Sequence, residues 1–259
     1  MTMSFPVYFS AGSFALHPHW VLETFAWTFA FWLYSRRRRL AGDVIDARSR
    51  AWVIAAAALG GIIGSRLLYL LEDPARTAAQ WSDPAFLLGG KTIVGGLIGG
   101  LMAVEWIKRR LGVTVPTGDL MAVPLIVGIA IGRVGCFLSG LDDRAYGAAT
   151  AWPWGVDFGD GIPRHPAQLY EIVYLTVLGT AIVALRRRPH QIGDQFKAFM
   201  AGYMAWRFAI DFLKPAATVA GLSVIQWACL AALAYYAPHL RRLLAWRLRS
   251  RNVPEAIGG

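Results

Sequence analysis

Gly132-Arg133-Val134-Gly135-Cys136-Phe137-Leu138-Ser139-Gly140 closes an apolar run that starts at Leu120, and it sets an arginine inside that run. The run has about the ~20 residues a helix needs to cross a bilayer. A cation at the centre of a bilayer costs roughly 2.5 kcal/mol or more, so a residue kept there is a functional candidate by default. Gly132, Gly135 and Gly140 leave room beside it for another backbone or a ligand.

The rest of the chain has the same character. Of 259 residues, 56% are hydrophobic and 11 are Trp, the composition of an integral membrane protein. The net charge of +10 does not point to nucleic acid, because the basic residues sit in short clusters between apolar runs. Cys136 and Cys229 both fall in apolar segments and offer neither a disulfide framework nor a metal-ligand spacing. No basic stretch precedes the first apolar run, and no cleaved signal peptide is expected.

Seven apolar segments follow, at 16–35, 52–71, 92–108, 119–138, 167–186, 196–213 and 222–240. They predict an all-α integral membrane protein in which residues 1–259 form a single polytopic domain. The clusters Arg36–Arg39, Arg48 with Arg50, Lys108–Arg110, Arg186–Arg188 and Arg241–Arg251 all fall on one side if the segments alternate. That side is cytoplasmic by the positive-inside rule, which places the N-terminus outside and the C-terminus inside.

On this topology the buried charges share a depth. Glu23, Arg66, Lys91, Arg133, Glu171, Arg207 and Asp211 all come out in the outer half. Glu105 lies inward, where Lys108 and Arg109 can pair with it. An arginine near a helix end can be an interfacial, snorkelling side chain. Two arginines at one depth suggest instead an anion held between helices, a lipid phosphate above all. Tyr203, Arg207 and Asp211 repeat every four residues with Lys214 three further on, so they share a face. Asp211 neutralises Arg207 in the plainest reading. His19 with Glu23, and Gln168 with Glu171, stand at helical spacing too, and Pro166 marks where the fifth segment begins. Gly60 with Gly64, Gly95 with Gly99 and Gly96 with Gly100 are pairs that let membrane helices pack closely; Gly95-Gly96 could also widen a lipid-accessible cleft.

These residues carry a family resemblance. The stretch 132–138, Tyr146-Gly147, Pro153-Trp154, Arg164-His165-Pro166-Ala167-Gln168-Leu169-Tyr170-Glu171 and Arg207-Phe208-Ala209-Ile210-Asp211-Phe212 resemble prolipoprotein diacylglyceryl transferases. So do Gly64 to Tyr69, Gly89-Gly90-Lys91 with Gly95 to Gly99, and Ser223 with Gln226. The resemblance implies transfer of diacylglyceryl from phosphatidylglycerol to the lipobox cysteine thiol of an exported prolipoprotein, without metal or cofactor. Its implied partners are phosphatidylglycerol, prolipoprotein signal peptides and membrane lipid, and its implied place is the bacterial cytoplasmic (inner) membrane. It implies Arg133, Arg207, His165 and Asp211 as catalytic residues. Arg66, Lys91, Gly95, Gly96, Gly147, Arg164, Gln168, Glu171 and Tyr203 would bind substrate.

This chain also departs from the family pattern. Val94 stands where the family usually has histidine, Cys136 where it commonly has asparagine, and Asp211 where it usually has glutamate. His165, Asp142, Asp143, the His19–Glu23 pair and Asp211 are the candidates for a base, and the sequence does not select among them. A diverged lipid-binding paralogue, non-catalytic or with another substrate, and a small-anion transporter are the alternative readings. Against transport, the buried charges leave no polar path to the cytoplasmic side.

Overall fold

A computed structural model describes residues 5–11, 14–186, 191–214 and 216–251. Arg187 and Arg188 of the basic cluster lie outside the described residues, as does the tail beyond Arg251. Among the described residues there are seven long helices: α1 (Pro18–Ala41), α2 (Ala47–Glu72), α5 (Ile93–Leu111), α6 (Asp119–Leu138), α7 (Ala167–Leu185), α8 (Asp194–Ile210) and α9 (Val224–Arg251). Each overlaps one of the seven apolar segments. Two short helices, α3 (Pro74–Ala79) and α4 (Pro84–Gly89), fill the loop before α5. Two-residue strands β3 (Val156–Asp157) and β4 (Pro163–Arg164) form a hairpin before α7, with Val156 opposite Arg164. Further small hairpins precede α1 (β1 Phe9–Ala11 with β2 Phe14–Leu16) and α9 (β5 Thr218–Val219 with β6 Leu222–Ser223).

Local chemistry sets the helix ends. Asp46 accepts the Arg48 and Ser49 N–H groups at 2.9 and 3.0 Å, and Thr92 accepts that of Gly95 at 3.2 Å, so both starts are capped. Gly112 adopts φ +69 to stop α5. Pro166 immediately precedes α7, as its position in the sequence suggests.

α2, α6 and α7 are long and apolar enough to cross a membrane. Large apolar side chains such as Trp27, Phe31, Ile62, Ile63, Val173 and Val177 face outward. A surface of that kind suits a lipid solvent rather than water. Within the bundle α8 is the most enclosed helix. Its Phe199, Met200, Tyr203 and Met204 are fully buried against Leu175 of α7, Ile126 of α6, Val94 of α5 and Cys229 of α9. Arg207 therefore stands on the central helix.

α2 packs closely on α5 along a line of glycines. A Cβ on Gly64 would lie 2.4 Å from the Gly95 carbonyl oxygen, and one on Gly95 would lie 2.3 Å from that of Gly64. Gly60 and Gly99 meet in the same way. Gly95 thus belongs to the helix seam, and Gly96 sits against Gly61. Backbone cannot move aside as a side chain can. Gly95→Val is expected to destabilise the bundle by about 3 kcal/mol, the upper end for overpacking. Gly132→Ala, which meets nothing within 4 Å, should leave the melting temperature in detergent unchanged. Equal melting of the two variants would contradict this reading of the seam.

Candidate active site

The starts of α1, α5, α7 and α9 and the ends of α2, α6 and α8 meet at one end of the bundle. This follows from contacts between them. Lys91, just before α5, pairs with Glu23 of α1. The Thr92 N–H donates to Ser65 of α2 at 3.0 Å. Arg133 of α6 reaches Glu171 of α7, and Asp211 after α8 pairs with Ser223 before α9. The basic clusters sit at the other end, where Arg50 pairs with Asp43 and Arg242 with Asp194. Glu105 holds Lys108 at 3.0 Å there, the pairing its spacing suggests.

At the first end a chain of buried charges crosses the helices. Arg133 Nη2 lies 3.0 Å from Glu171 Oε2, and Arg207 Nη1 lies 3.7 Å from the same oxygen. The Tyr203 hydroxyl donates to Glu171 Oε1 at 2.7 Å. Arg207 Nη2 donates to Asp211 Oδ1 at 3.2 Å, and Ser223 Oγ donates to Asp211 Oδ2. Gln226 completes the chain, accepting the Ser223 N–H at 2.8 Å and donating to the Phe208 carbonyl at 3.1 Å. All these side chains are buried. Two arginines against two carboxylates satisfy charge, which a low-dielectric site requires.

They do not satisfy every donor. Arg133 Nε, Arg207 Nε and Arg207 Nη1 make no hydrogen bond, and neither amide atom of Gln168 does, although all five atoms are buried. A buried polar group without a partner carries a desolvation cost of about 1–3 kcal/mol. Clustered guanidinium donors of this kind are a receptor for an anion with several oxygens.

The other sequence-predicted residues fall into separate places. Arg66 donates to the Gly90 carbonyl and braces the loop before Lys91. Arg164 does not join the buried arginines. It makes a bidentate pair with Asp160 at 2.6 and 2.7 Å and lies over the Tyr146 ring at 5.1 Å. That guanidinium holds the Asp160 carboxyl below the usual carboxylate range. His165 Nδ1 is 3.1 Å from the Tyr170 hydroxyl, and its backbone carbonyl accepts the Gly147 N–H at 2.8 Å. A Cβ on Gly147 would lie 2.8 Å from that of His165 and 3.1 Å from the Leu213 carbonyl, so close packing demands the glycine. Val94 is 1% exposed in the apolar core and puts no titratable group there.

Two juxtapositions of residues already named in the sequence appear only in the fold. Lys214 lies among Arg207, Arg133, Glu171 and Asp211, and burial followed by the two arginines pulls its amine down to about 7. Cys136 lies with His19 and Asp143, three residues from separate elements whose ligand atoms are within 4.8 Å of one another. No spacing within one helix announces such a cluster. Gly135 permits it, since a Cβ there would already touch Leu22 at 3.1 Å and lie 3.5 Å from the His19 Cα.

Fold and site together define a helical membrane protein with a buried arginine–carboxylate chain at one end of its bundle. The profile of the prolipoprotein diacylglyceryl transferase family matches residues 6–238. The chain belongs to that family of transferase enzymes. It is similar to a phosphatidylglycerol–prolipoprotein diacylglyceryl transferase of Geobacter sulfurreducens, 32% identical over 221 residues that cover 81% of this chain and 82% of the relative. A protein of the same name from Vibrio vulnificus YJ016 is 30% identical over 221 residues, covering 81% of this chain and 78% of the relative.

Proposed function

We propose that this chain transfers the diacylglyceryl group of phosphatidylglycerol to the lipobox cysteine thiol of exported prolipoproteins. Sulfur attacks the glyceryl carbon, the bond from that carbon to the phosphate oxygen breaks, and glycerol phosphate leaves. The reaction needs a thiolate. It also needs positive charge aimed at the departing phosphate. The carrying observation is the set of buried, unpartnered donors on Arg133, Arg207 and Gln168 around Glu171.

Arg133 and Arg207 take the phosphate in this proposal, and Asp211 and Glu171 orient them. Tyr203 fixes Glu171 through its hydroxyl. Lys91 and Arg66 frame the approach from the α2–α5 side, and Arg164, His165 and Gly147 shape the loop over the site. Gly95 and Gly96 contribute by letting α5 lie close to α2. Residues 1–259 act as one polytopic domain of the cytoplasmic membrane, with seven spans, the N-terminus outside and the C-terminus inside. Phosphatidylglycerol and the prolipoprotein signal peptide reach the site from the membrane.

The test is complementation of a strain depleted of its own diacylglyceryl transferase, with the mass of a lipoprotein followed. Addition of diacylglyceryl supports the proposal. Phosphatidylglycerol binding without any mass shift would identify the lipid-binding paralogue instead. Orientation has its own test. A reporter fused after Arg39 is expected to read cytoplasmic and one near Asp143 external, and a cytoplasmic signal at Asp143 would overturn the placement of the site.

A further inference from the structure

We propose that Lys214 is the proton acceptor for the incoming thiol, set beside the two arginines that take the phosphate. The inference rests on the transferase reading above and supplies what that reading leaves open, the base.

The backbone fixes the residue first. Lys214 follows the 3-10 turn Asp211–Leu213 that ends α8, and its N–H donates to the Asp211 carbonyl at 3.0 Å. The Leu213 carbonyl just before it accepts the Ala148 N–H at 2.6 Å. The loop between α6 and α7 therefore ties down the segment on which the amine stands. From there the side chain faces Glu72 at the end of α2, Arg133 of α6, Glu171 of α7, and Arg207 and Asp211 from its own side of the bundle. Arg133, Arg207, Glu171 and Asp211 are buried, whereas Lys214 is part-exposed, so an incoming group can reach it.

The charge count makes this amine the group that moves a proton. Arg133 and Arg207 already balance Glu171 and Asp211. Tyr203 and the arginines occupy Glu171, and Arg207 and Ser223 occupy Asp211. A protonated Lys214 is thus a surplus cation beside two others, and among the described residues it makes no ion pair. Burial, then the two arginines, accordingly bring its amine down to about 7. Such an amine is partly unprotonated at neutral pH, where an ordinary lysine at about 10.4 is not. A base of that strength suits a thiol of about 8.5.

The other candidate bases are committed elsewhere. His19 lies between Glu23 Oε2 and Asp143 Oδ1, at 3.3 and 3.2 Å. Asp142 faces His17 at 3.6 Å, and His165 Nδ1 meets the Tyr170 hydroxyl at 3.1 Å.

The step balances. The thiol proton passes to Lys214 Nζ, sulfur bonds to the glyceryl carbon, and the carbon–oxygen electron pair goes to the phosphate. The phosphodiester carries one negative charge, and the departing glycerol phosphate gains a second. The ammonium forms beside that growing charge, so it is favoured in the transition state more than in the ground state. It returns its proton to water once the phosphate leaves.

The experiment follows single-turnover transfer to a lipobox peptide by the full chain in nanodiscs containing phosphatidylglycerol, across a range of pH. Transfer is expected to fall about tenfold for each unit below the amine's value of about 7, because protonation removes the base. Lys214→Met and Lys214→Arg should each lower transfer by roughly 10²–10⁴-fold. Lys214→Arg should keep its melting temperature and its phosphatidylglycerol binding. A peptide with selenocysteine in place of the lipobox cysteine should recover most of the loss, since a selenol ionises at neutral pH without a base. Full activity in Lys214→Arg would overturn the proposal and make the residue a phosphate-binding charge. So would a loss that the selenol does not recover, or a pH limb at the thiol's own value of about 8.5 that is unchanged in Lys214→Met. No transfer to either peptide by the unaltered chain would refute the transferase reading itself, and the proposal with it.

Discussion

Replacing Arg133 or Arg207 with alanine is expected to lower diacylglyceryl transfer by roughly 10²–10³-fold or more, the usual cost of removing one preorganised charge-stabilising donor. Both arginines reach Glu171 Oε2, at 3.0 and 3.7 Å, so the two guanidinium groups are held within one phosphate's reach of each other. Lysine is not expected to rescue either position. It binds as a point charge on a flexible stem, whereas the site offers a planar fork whose remaining buried N–H groups have no partner. The measurement is single-turnover transfer from phosphatidylglycerol to a lipobox peptide, with lipid binding followed separately. Loss of turnover with lipid retained places the effect on the leaving group. Full activity in the Arg133→Ala, Arg207→Ala double variant would refute the mechanism.

The second large effect is on folding. Glu171→Ala leaves two buried guanidinium groups without their shared carboxylate, and breaking a buried ion pair by removing one partner costs roughly 3–5 kcal/mol. Glu171→Gln keeps the shape and an acceptor for the Tyr203 hydroxyl, so its loss should be smaller. If the pairing is the cause, Arg133→Met combined with Glu171→Leu recovers much of the stability without recovering transfer. Thermal unfolding of the single and double variants in detergent gives the coupling. Strictly additive losses would show that Glu171 supports the bundle by packing rather than by charge.

How far the sequence could be read follows from which forces are local. Helix positions were legible because span length, apolar runs and caps are properties of contiguous residues. All seven segments reappear as helices, although α1 continues past its predicted end through Arg39 to Ala41. The face shared by Tyr203, Arg207 and Asp211 was legible for the same reason, since four-residue spacing is a fact of one helix. So was the His19–Glu23 pair. Proximity between helices was not legible. Arg164 carries the same charge as Arg133, and nothing in the linear pattern says that Asp160 claims it while Glu171 claims the others. Lys214 read as one more residue on a polar face, and burial beside two arginines was needed to bring its amine down to about 7.

Composition and apolar patterning alone thus determined a helical membrane protein. Transfer into lipid is costly enough to show residue by residue. Only the tertiary structure decided which partner each buried charge takes, and which donors are left free for a ligand. It alone placed a cysteine, a histidine and an aspartate from three elements around one point. Those outcomes depend on helix-to-helix approach, set by glycines that let backbones touch, and a linear sequence records the glycines but not what they touch.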